Sequence, residues 1–476
     1  MYKSTPITFL FHSSAEEKVV DACSGVYLEL DDPKVSGTGT GKQAWVIGLV
    51  HSYLGTEINV AYTCSELIGG ESIRWISVPR EGVTLEAIQS DELNSFISKW
   101  SNYTGKNNTT GSLGWILCAK LPEYCTLRNS LQKIKFVEGD QVPLNVKFES
   151  CPFALTMVEM FHSYITHGWL NYKNAKGDFW LSDLKYMDNM NGGVVSLKNS
   201  NESLGLIWGN VERKSQGELL VVLSWSVIFK LVSYRLKSVS IAKQAQLKLE
   251  NTLSSLPQKI SDNVVALKVW NCIGVQSWGS GVIVEPGLLI TNKHVITGDI
   301  NNHLFPNRLE IWHSESEVEC FEGEILSSKI IVPFDGESYD VAFVKCCTKR
   351  DGIILSSGKR LKDHRVSYDY VKAGDKCHSI GYGLFMDEQR MTPLKSTGVI
   401  TKLDYSGTII SSAACWSGCS GGALVNELGE MVGLLSSNGR HMGTGEVLQD
   451  LNFSVSLPVI RQCYLDSFGT NGPSRL

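Results

Sequence analysis

The sequence predicts an all-β protein that contains two copies of one domain, with the first copy degenerate. Apolar runs are short, rich in valine and isoleucine, and bounded by glycine, proline, asparagine or aspartate. This pattern is typical of strands joined by turns in a β-barrel or sandwich. Similar segments also recur in the same order in both halves of the chain. A stretch rich in helix formers, residues 231–260, separates the halves.

The internal repeat is the evidence for duplication. Each single match is weak, but five matches in one order indicate a duplicated domain. The pairs are CSGVYLEL (23–30) with GSGVIVEP (279–286), WVIGLVHS (45–52) with LLITNKHV (288–295), GDQVPLNVKFESCPF (139–153) with GDKCHSIGYGLF (374–385), SYITHGWLN (163–171) with KSTGVITK (395–402), and MNGGVVSLKNSNESLGLIWGN (190–210) with CSGGALVNELGEMVGLLSSN (419–438).

Four segments follow from the repeat and from composition. The central stretch has leucine and isoleucine near helical spacing, which predicts a helix between the copies. We predict a degenerate domain at 18–230, a helical connector at 231–262, a second domain at 263–465 and a flexible tail at 466–476.

Composition excludes several function classes. The 476 residues are 43% hydrophobic and 20% charged, as in ordinary globular proteins. A net charge of −5 offers no basic field for nucleic acid, and no apolar run approaches the length of a bilayer span. Thirteen cysteines without CxxC pairs argue against a disulfide framework and for a reduced intracellular compartment. No metal or cofactor is predicted.

The segment ACWSGCSGGALV, residues 414–425, places Ser420 among small residues. A serine becomes a useful nucleophile only with a general base and with donors for the developing oxyanion. The backbone N–H groups of Gly418 and Ser420 are the predicted donors. His294 follows an apolar strand in GLLITNKHVITG, and Asp340 opens an apolar run in SYDVAFVKC. These two residues are the candidate base and its orienting carboxylate.

The segments GSGVIVEPGLLITNKHV, DVAFVK, SAACWSGCSGGALVNELGEMVGLLSSN and NFSVSLPV resemble the trypsin-fold serine proteases, and among them the HtrA (Deg) type. The resemblance covers about residues 263–462. It implies a double β-barrel in each copy, with two six-stranded barrels and the site in the cleft between them. It also implies that His294 is the general base, Asp340 its orienting partner and Ser420 the nucleophile, with an oxyanion hole at Gly418 and Ser420.

Two positions depart from the family pattern. Cys419 stands where digestive relatives carry an aspartate, so we expect no activation of the zymogen kind. Viral cysteine proteases of this fold place cysteine at the position of Ser420, which makes Cys419 an alternative nucleophile. A shift by one residue aims its side chain away from the base, and we therefore prefer Ser420.

Substrate specificity is predicted from the residue at the position that forms the base of the specificity pocket in the family. Ala414 occupies that position and offers no acid for a lysine or arginine side chain. A small or uncharged residue before the scissile bond is expected, and the family resemblance suggests cysteine. Trp416 and Leu435 either line this pocket or belong to the core.

The first copy lacks two of the three catalytic roles. Asn191 stands at the position of Ser420, His51 at that of His294, and Gly114 near that of Asp340. We predict an inactive copy that presents substrate, masks the active cleft or mediates self-association into a homo-oligomer; the sequence does not select among these.

The tripeptide Ser474, Arg475 and Leu476 is a close variant of the S-K-L signal, which predicts an import receptor as a partner and the peroxisomal matrix as the location. Together with this tripeptide, the resemblance implies a serine endopeptidase that removes leader peptides from imported peroxisomal matrix enzymes. One alternative is a general HtrA-like quality-control protease with an accidental tripeptide. The other is a catalytically silent binding or chaperone protein.

Overall fold

The structure is a computed structural model with two units, Met1–Arg213 with Glu218–Glu250 and Lys214–Gly217 with Asn251–Leu476. It describes residues 2–14, 18–31, 42–51, 58–69, 72–100, 102–103, 113–122, 127, 131–137, 146–151, 164–198, 200–213, 216–233, 262–270, 276–297, 308–312, 320–322, 324–331, 339–346, 352–353, 355, 361, 370–384, 392–404, 406–445 and 447–469.

Two predicted segments lie largely outside these ranges. Within the predicted connector at 231–262, only residues 231–233 and 262 are described, so the connector stays a prediction. The division between the units falls inside this segment. The targeting tripeptide Ser474, Arg475 and Leu476 also lies outside the described residues.

Fifteen described strands of the first unit form one hydrogen-bonded sheet, and β5 and β6 pair separately with each other. The main path of the large sheet runs β15-β12-β13-β14-β17-β16-β11-β1-β2-β3-β10-β8, with β4 on β1, β7 on β4 and β9 on β16. The strands are β1 (Tyr2–Ser13), β2 (Val19–Asp31), β3 (Lys42–Val50), β4 (Ile58–Thr63), β5 (Ile68–Gly69), β6 (Ser72–Ile73), β7 (Ile76–Val78), β8 (Val83–Ala87), β9 (Asn102–Tyr103), β10 (Trp115–Leu121), β11 (Gln132–Phe136), β12 (Val146–Cys151), β13 (Thr166–Lys173), β14 (Phe179–Ser182), β15 (Val194–Leu197), β16 (Glu202–Arg213) and β17 (Gly217–Ser224).

The first unit begins earlier than the predicted residue 18. Strand β1 pairs with β2 along most of its length and also with β4 and β11. Its alternate residues Ile7, Phe9 and Phe11 are fully buried, because successive side chains of a strand point to opposite faces. This period of two was the signal that marked the strand.

The second unit contains two strand systems. One is a seven-stranded sheet in the order β22-β21-β18-β19-β20-β24-β23, and the other is a closed barrel in the order β25-β26-β27-β30-β29-β28. The strands are β18 (Val264–Trp270), β19 (Gln276–Glu285), β20 (Leu288–Thr291), β21 (Arg308–Trp312), β22 (Cys320–Glu322), β23 (Glu324–Ile331), β24 (Tyr339–Lys345), β25 (Lys376–Gly381), β26 (Leu394–Leu403), β27 (Thr408–Ser411), β28 (Ala423–Asn426), β29 (Met431–Arg440) and β30 (Val447–Ser456).

The closed six-stranded barrel is as expected. In the other system the two edge strands, β22 and β23, are separated by residue 323 alone. Strand β22 pairs with β21, and β23 pairs with β24.

The described residues include four α-helices, which are α1 (Asp91–Ile97), α2 (Trp225–Val232), α3 (Lys293–Thr297) and α4 (Leu457–Phe468). Among the described residues, no helix is long and apolar enough to cross a membrane. The cysteines whose side chains are described are buried free thiols.

Candidate active site

His294 and Asp340 form a pair at the ends of two neighbouring strands. His294 lies on the short helix α3, three residues after the end of β20, and Asp340 lies near the start of β24, which pairs with β20. The carboxylate Oδ2 is bonded to His294 Nδ1, and Oδ1 accepts the backbone N–H of His294 at 2.9 Å. Asn292 Nδ2 donates to the Asp340 carbonyl at 2.8 Å. Because Nδ1 is held by the carboxylate, Nε2 is the ring nitrogen left for proton transfer.

Ser420 lies in a loop whose conformation requires glycine on both sides. Gly418 has φ +97° and Gly421 has φ +85°, values that residues with a Cβ rarely adopt. A Cβ on Gly418 would lie 2.0 Å from the Trp278 ring, and one on Gly421 would lie 2.0 Å from the Ser280 carbonyl oxygen. Both the backbone conformation and the close packing therefore require glycine at positions 418 and 421.

The orientation of one peptide group and, among the described residues, two N–H groups without protein acceptors support the predicted oxyanion hole. The Ser417 carbonyl accepts the Leu384 N–H at 3.0 Å. In a trans peptide the next N–H, that of Gly418, points the opposite way. Within the described part of the chain, the N–H groups of Gly418 and Ser420 have no protein acceptor.

A single cleft of about 930 Å³ brings these groups together. His294, Asp340, Gly418 and Ser420 all line it. The Ser420 hydroxyl donates to the Ser436 carbonyl at 2.8 Å. Proton transfer to the imidazole requires this hydroxyl to turn away from Ser436, and catalytic hydrogen bonds commonly tighten only when substrate binds.

Cys419 points away from this cleft. Its side chain is 2% exposed, and its sulfur faces Gly383, where an added Cβ would lie 2.9 Å from Sγ. A hydrogen bond to Cys419, together with burial, raises the pKa of the neighbouring Cys415 thiol well above its usual value. This geometry gives Cys419 no path to His294.

The three residues predicted for specificity are buried. Ala414, Trp416 and Leu435 are 5%, 1% and 0% exposed, and they are not among the residues that line the cleft. Asn438, which the sequence did not single out, does line it, and its Nδ2 donates to the Cys415 carbonyl. Asn438 lies in an ordinary polar run, SSN, so no sequence signal marks it.

The equivalent positions of the first copy also lie together. An added Cβ on Gly114 would lie 3.4 Å from His51 Nδ1, where the second copy has the Asp340 carboxylate. His51 Nε2 contacts the Trp208 carbonyl at 2.6 Å, and burial lowers the pKa of His51 to about 4. Asn191 Nδ2 donates to the Leu49 carbonyl at 2.5 Å. None of these groups forms a nucleophile and base pair.

The backbone of the two loops is nearly the same. Asn189 has φ +66° where Gly418 has φ +97°. Four hydrogen bonds of the first loop have equivalents in the second. In the first loop they run from Gly192 N–H to Ile207 O (2.8 Å), Gly193 N–H to Met190 O (3.0 Å), Ile207 N–H to Gly193 O (2.8 Å) and Ser24 Oγ to Asn189 O (3.1 Å). In the second loop, in the same order, they run from Gly421 N–H to Leu435 O (2.8 Å), Gly422 N–H to Cys419 O (2.9 Å), Leu435 N–H to Gly422 O (2.8 Å) and Ser280 Oγ to Gly418 O (2.8 Å).

Residues 279–434 match the Trypsin_2 family, described as the trypsin-like peptidase domain. The matched range contains His294, Asp340 and Ser420. The matched range belongs to the second unit and supplies part of the lining of the cleft described above. Among the described residues, no group of three or more side chains is arranged to hold a metal ion.

Two curated relatives are named peroxisomal leader peptide-processing protease. The chain is 25% identical to the mouse protein and 26% identical to the human protein, over 193 residues in each case. Each alignment covers 39% of this chain and 30% of the relative, so the chain matches less than a third of the length of these proteins.

Solved structures of HtrA-type proteases are partly similar. The protease AlgW with a tripeptide is 20% identical, with 45% of this chain and 62% of that chain covered and a TM-score of 0.34. A serine endoprotease from Yersinia pestis is 21% identical, with 45% and 66% covered and a TM-score of 0.33.

Proposed function

We propose that the protein is a peroxisomal serine endopeptidase that removes leader peptides from imported matrix enzymes. The observation that carries the chemical part is the cleft in which the His294–Asp340 pair and Ser420 meet. The names of the two curated relatives support the peroxisomal part and the processing of leader peptides.

The proposed reaction begins when a peptide carbonyl enters the cleft. Ser420 Oγ attacks the carbonyl carbon, and His294 Nε2 takes the hydroxyl proton as a C–O bond forms. The carboxylate of Asp340 stabilises the imidazolium through Nδ1. The oxyanion accepts hydrogen bonds from the N–H groups of Gly418 and Ser420, which are fixed before the reaction.

The tetrahedral intermediate then collapses. The C–N bond breaks, His294 returns its proton to the leaving amine, and the acyl group remains on Ser420. A water molecule repeats the sequence on the ester, with its proton passing to the same nitrogen. The products are a new carboxylate, a new N-terminus and the free serine hydroxyl.

A peroxisomal extract tests the proposal. Purified protein is incubated with the matrix fraction, and new N-termini are identified by mass spectrometry, with Ser420→Ala as the matched control. We expect a few defined cuts near the N-termini of matrix enzymes, absent from the control. Cuts spread over unfolded proteins of every kind would favour the quality-control protease, and no cuts would favour the silent binding protein.

Location is tested separately in cells. A fluorescent protein fused ahead of residue 1 leaves Ser474, Arg475 and Leu476 at the end of the chain. We expect this fusion to coincide with a peroxisomal marker, and a form with Leu476→Ala to remain in the cytosol. A Leu476→Ala fusion that still reached peroxisomes would show that another signal directs import.

A further inference from the structure

One residue of β19 binds both residues of the predicted oxyanion hole. The hydroxyl of Ser280 donates to the Gly418 carbonyl at 2.8 Å, and its backbone N–H donates to the Ser420 carbonyl at 2.8 Å. Ser280 is fully buried and is not among the residues that line the cleft. Any effect of Ser280 on the reaction therefore passes through the residues that it binds.

Gly418 is held between two fixed peptide groups. The Ser417 carbonyl accepts the Leu384 N–H at 3.0 Å, which fixes the peptide group that contains the Gly418 N–H. The peptide group after Gly418 is fixed by the Ser280 hydroxyl. Glycine at φ +97° has no side chain that restricts rotation about its backbone bonds. The hydroxyl therefore supplies a restraint that glycine itself does not have.

Ser420 is held in the same way. The Cys419 carbonyl accepts the Gly422 N–H at 2.9 Å, which fixes the peptide group that contains the Ser420 N–H. The peptide group after Ser420 is fixed by the backbone N–H of Ser280. An oxyanion hole is effective because its donors need no reorganisation during the reaction. Ser280 anchors both donor residues, so it keeps the two N–H groups in one relative arrangement.

Ser280 is itself held by two neighbouring segments. Its hydroxyl accepts the Tyr382 N–H at 2.7 Å, and its carbonyl accepts the Thr291 hydroxyl at 2.7 Å. A serine hydroxyl has one proton, and the bond from Tyr382 orients it so that this proton is given to Gly418. Thr291 is the last residue of β20, three residues before His294. Ser280 thus connects the oxyanion hole with the strand that carries the candidate base.

The first copy uses the equivalent residue differently. Ser24 stands at the position of Ser280, and Asn189 stands at that of Gly418. The N–H and the hydroxyl of Ser24 both donate to the Asn189 carbonyl, at 3.2 Å and 3.1 Å. The hydroxyl bond is thus common to both copies, whereas the second copy divides its two donors between Gly418 and Ser420.

We infer that Ser280 is a positioning residue, which holds the oxyanion hole in its active arrangement through its hydroxyl and its backbone N–H. This inference rests on the proposed peptidase activity. Loss of the hydroxyl leaves the Gly418 carbonyl without this donor, so the adjoining peptide group turns more easily. A misplaced N–H stabilises the transition state less and hardly affects the binding of substrate, so kcat falls while KM changes little.

Ser280→Ala is the test variant, and Ser24→Ala is its matched control. Each loses one buried hydroxyl that donates to the equivalent carbonyl of its own copy. Rates are expressed per active site titrated with a fluorophosphonate. We expect Ser280→Ala to lower kcat by about 10–100-fold with little change in KM. Ser24→Ala should keep the kcat and KM of the unaltered chain.

A peptide boronate separates positioning from folding. Its tetrahedral adduct with Ser420 places an oxygen atom in the oxyanion hole, as the transition state does. The boronate should bind Ser280→Ala more weakly by the factor by which kcat/KM falls. A purely structural role would lower the number of titrated sites and leave both kcat per site and the boronate affinity unchanged.

Unchanged kcat and boronate affinity in folded Ser280→Ala would overturn the inference, and so would an equal loss of kcat in Ser24→Ala. If Ser280→Ala does not fold, Ser280→Cys replaces it under the same criteria, because a thiol is a weaker donor on the same side-chain frame. Absence of any cleavage by the unaltered chain would instead contradict the proposed function.

Discussion

In the second copy the carbonyl of Ser436 accepts a hydrogen bond from Ser420, whereas in the first copy the equivalent carbonyl of Trp208 is bonded to His51. Three backbone hydrogen bonds next to these carbonyls, donated by Gly192, Gly193 and Ile207 in the first copy and by Gly421, Gly422 and Leu435 in the second, are equivalent. The difference lies in the imidazole. The Nδ1 atom of His294 is hydrogen-bonded to the Asp340 carboxylate, whereas His51 has Gly114 in that place and its Nε2 contacts a backbone carbonyl. The same loop is thus compatible with the proposed reactive site and with an inert one.

The two copies also differ at the strand ends that follow these carbonyls. Strand β9 pairs with the end of β16 in the first copy, and the Tyr103 ring lies 6.5 Å from the Trp208 ring. In the described part of the second copy no strand takes this place on β29. Loss of the nucleophile and loss of the open strand end therefore occur together in the first copy.

The largest expected effect comes from the nucleophile. Ser420→Ala should lower kcat for peptide cleavage by about 10⁶-fold, because it removes the hydroxyl that is proposed to form the ester. Cys419→Ala should keep most of the activity, since its thiol faces Gly383. Steady-state cleavage of one peptide substrate measures both. The reverse result, a dead Cys419→Ala and an active Ser420→Ala, would show that the nucleophile is wrongly assigned.

The second largest effect is expected from the orienting carboxylate. Asp340→Asn should lower kcat by about 10⁴-fold, because the amide no longer holds Nδ1 protonated and Nε2 as the base. KM should change little, since Asp340 does not reach the substrate. A loss below about tenfold would mean that the carboxylate has a structural role only.

A matched pair of glycines separates stability from catalysis. Gly192→Ala and Gly421→Ala both place a Cβ 2.0 Å from a serine carbonyl oxygen at φ +85°. Each should lower the free energy of unfolding of its own unit by on the order of 2–4 kcal/mol. Only Gly421→Ala should lower kcat at a temperature where both variants are folded. Equal losses of activity in the two variants would break the comparison between the copies.

His51 gives a smaller, pH-dependent effect. Its pKa in the folded protein is about 4, below the ordinary value, so between these values the unfolded chain binds a proton that the folded chain does not. The free energy of unfolding therefore falls as the pH drops from about 7 to about 4. Over this pH range, the free energy of unfolding of His51→Leu should fall by on the order of 2 kcal/mol less than that of the unaltered chain. Thermal or denaturant unfolding measures the difference. The exposed His441→Gln is the control, and an unchanged pH slope in His51→Leu would contradict the burial of this ring.

No effect at all is expected from restoring a serine in the first copy. Asn191→Ser in a Ser420→Ala background should not cleave peptide, because His51 Nε2 is bonded to a backbone carbonyl. Adding Gly114→Asp should not help, since this position has φ +118° and an added Cβ would lie 2.9 Å from the Val50 carbonyl oxygen. Recovered cleavage in either variant would show that the first copy retains its machinery.

The sequence was sufficient for the barrel fold and for the residues that meet in the cleft, because glycine-bounded strands and short motifs are local patterns. Other features depend on contacts between distant segments. The hydrogen bond from Asn438 to the Cys415 carbonyl joins two distant segments, and the strand that pairs with the end of β16, β9, has only two residues. Neither leaves a pattern in its own segment. Strand β1 does leave one, an alternation through Ile7, Phe9 and Phe11, which lies ahead of the predicted start at residue 18.

The most direct test of the central claim uses a fluorophosphonate, which reacts covalently with an activated serine. The account predicts one adduct per unaltered chain, mapped by peptide mass spectrometry to Ser420, and no adduct in Ser420→Ala. Asp340→Asn should react far more slowly at the same site. An adduct on Cys419 or in the first copy, or an adduct that persists in Ser420→Ala, would contradict the account.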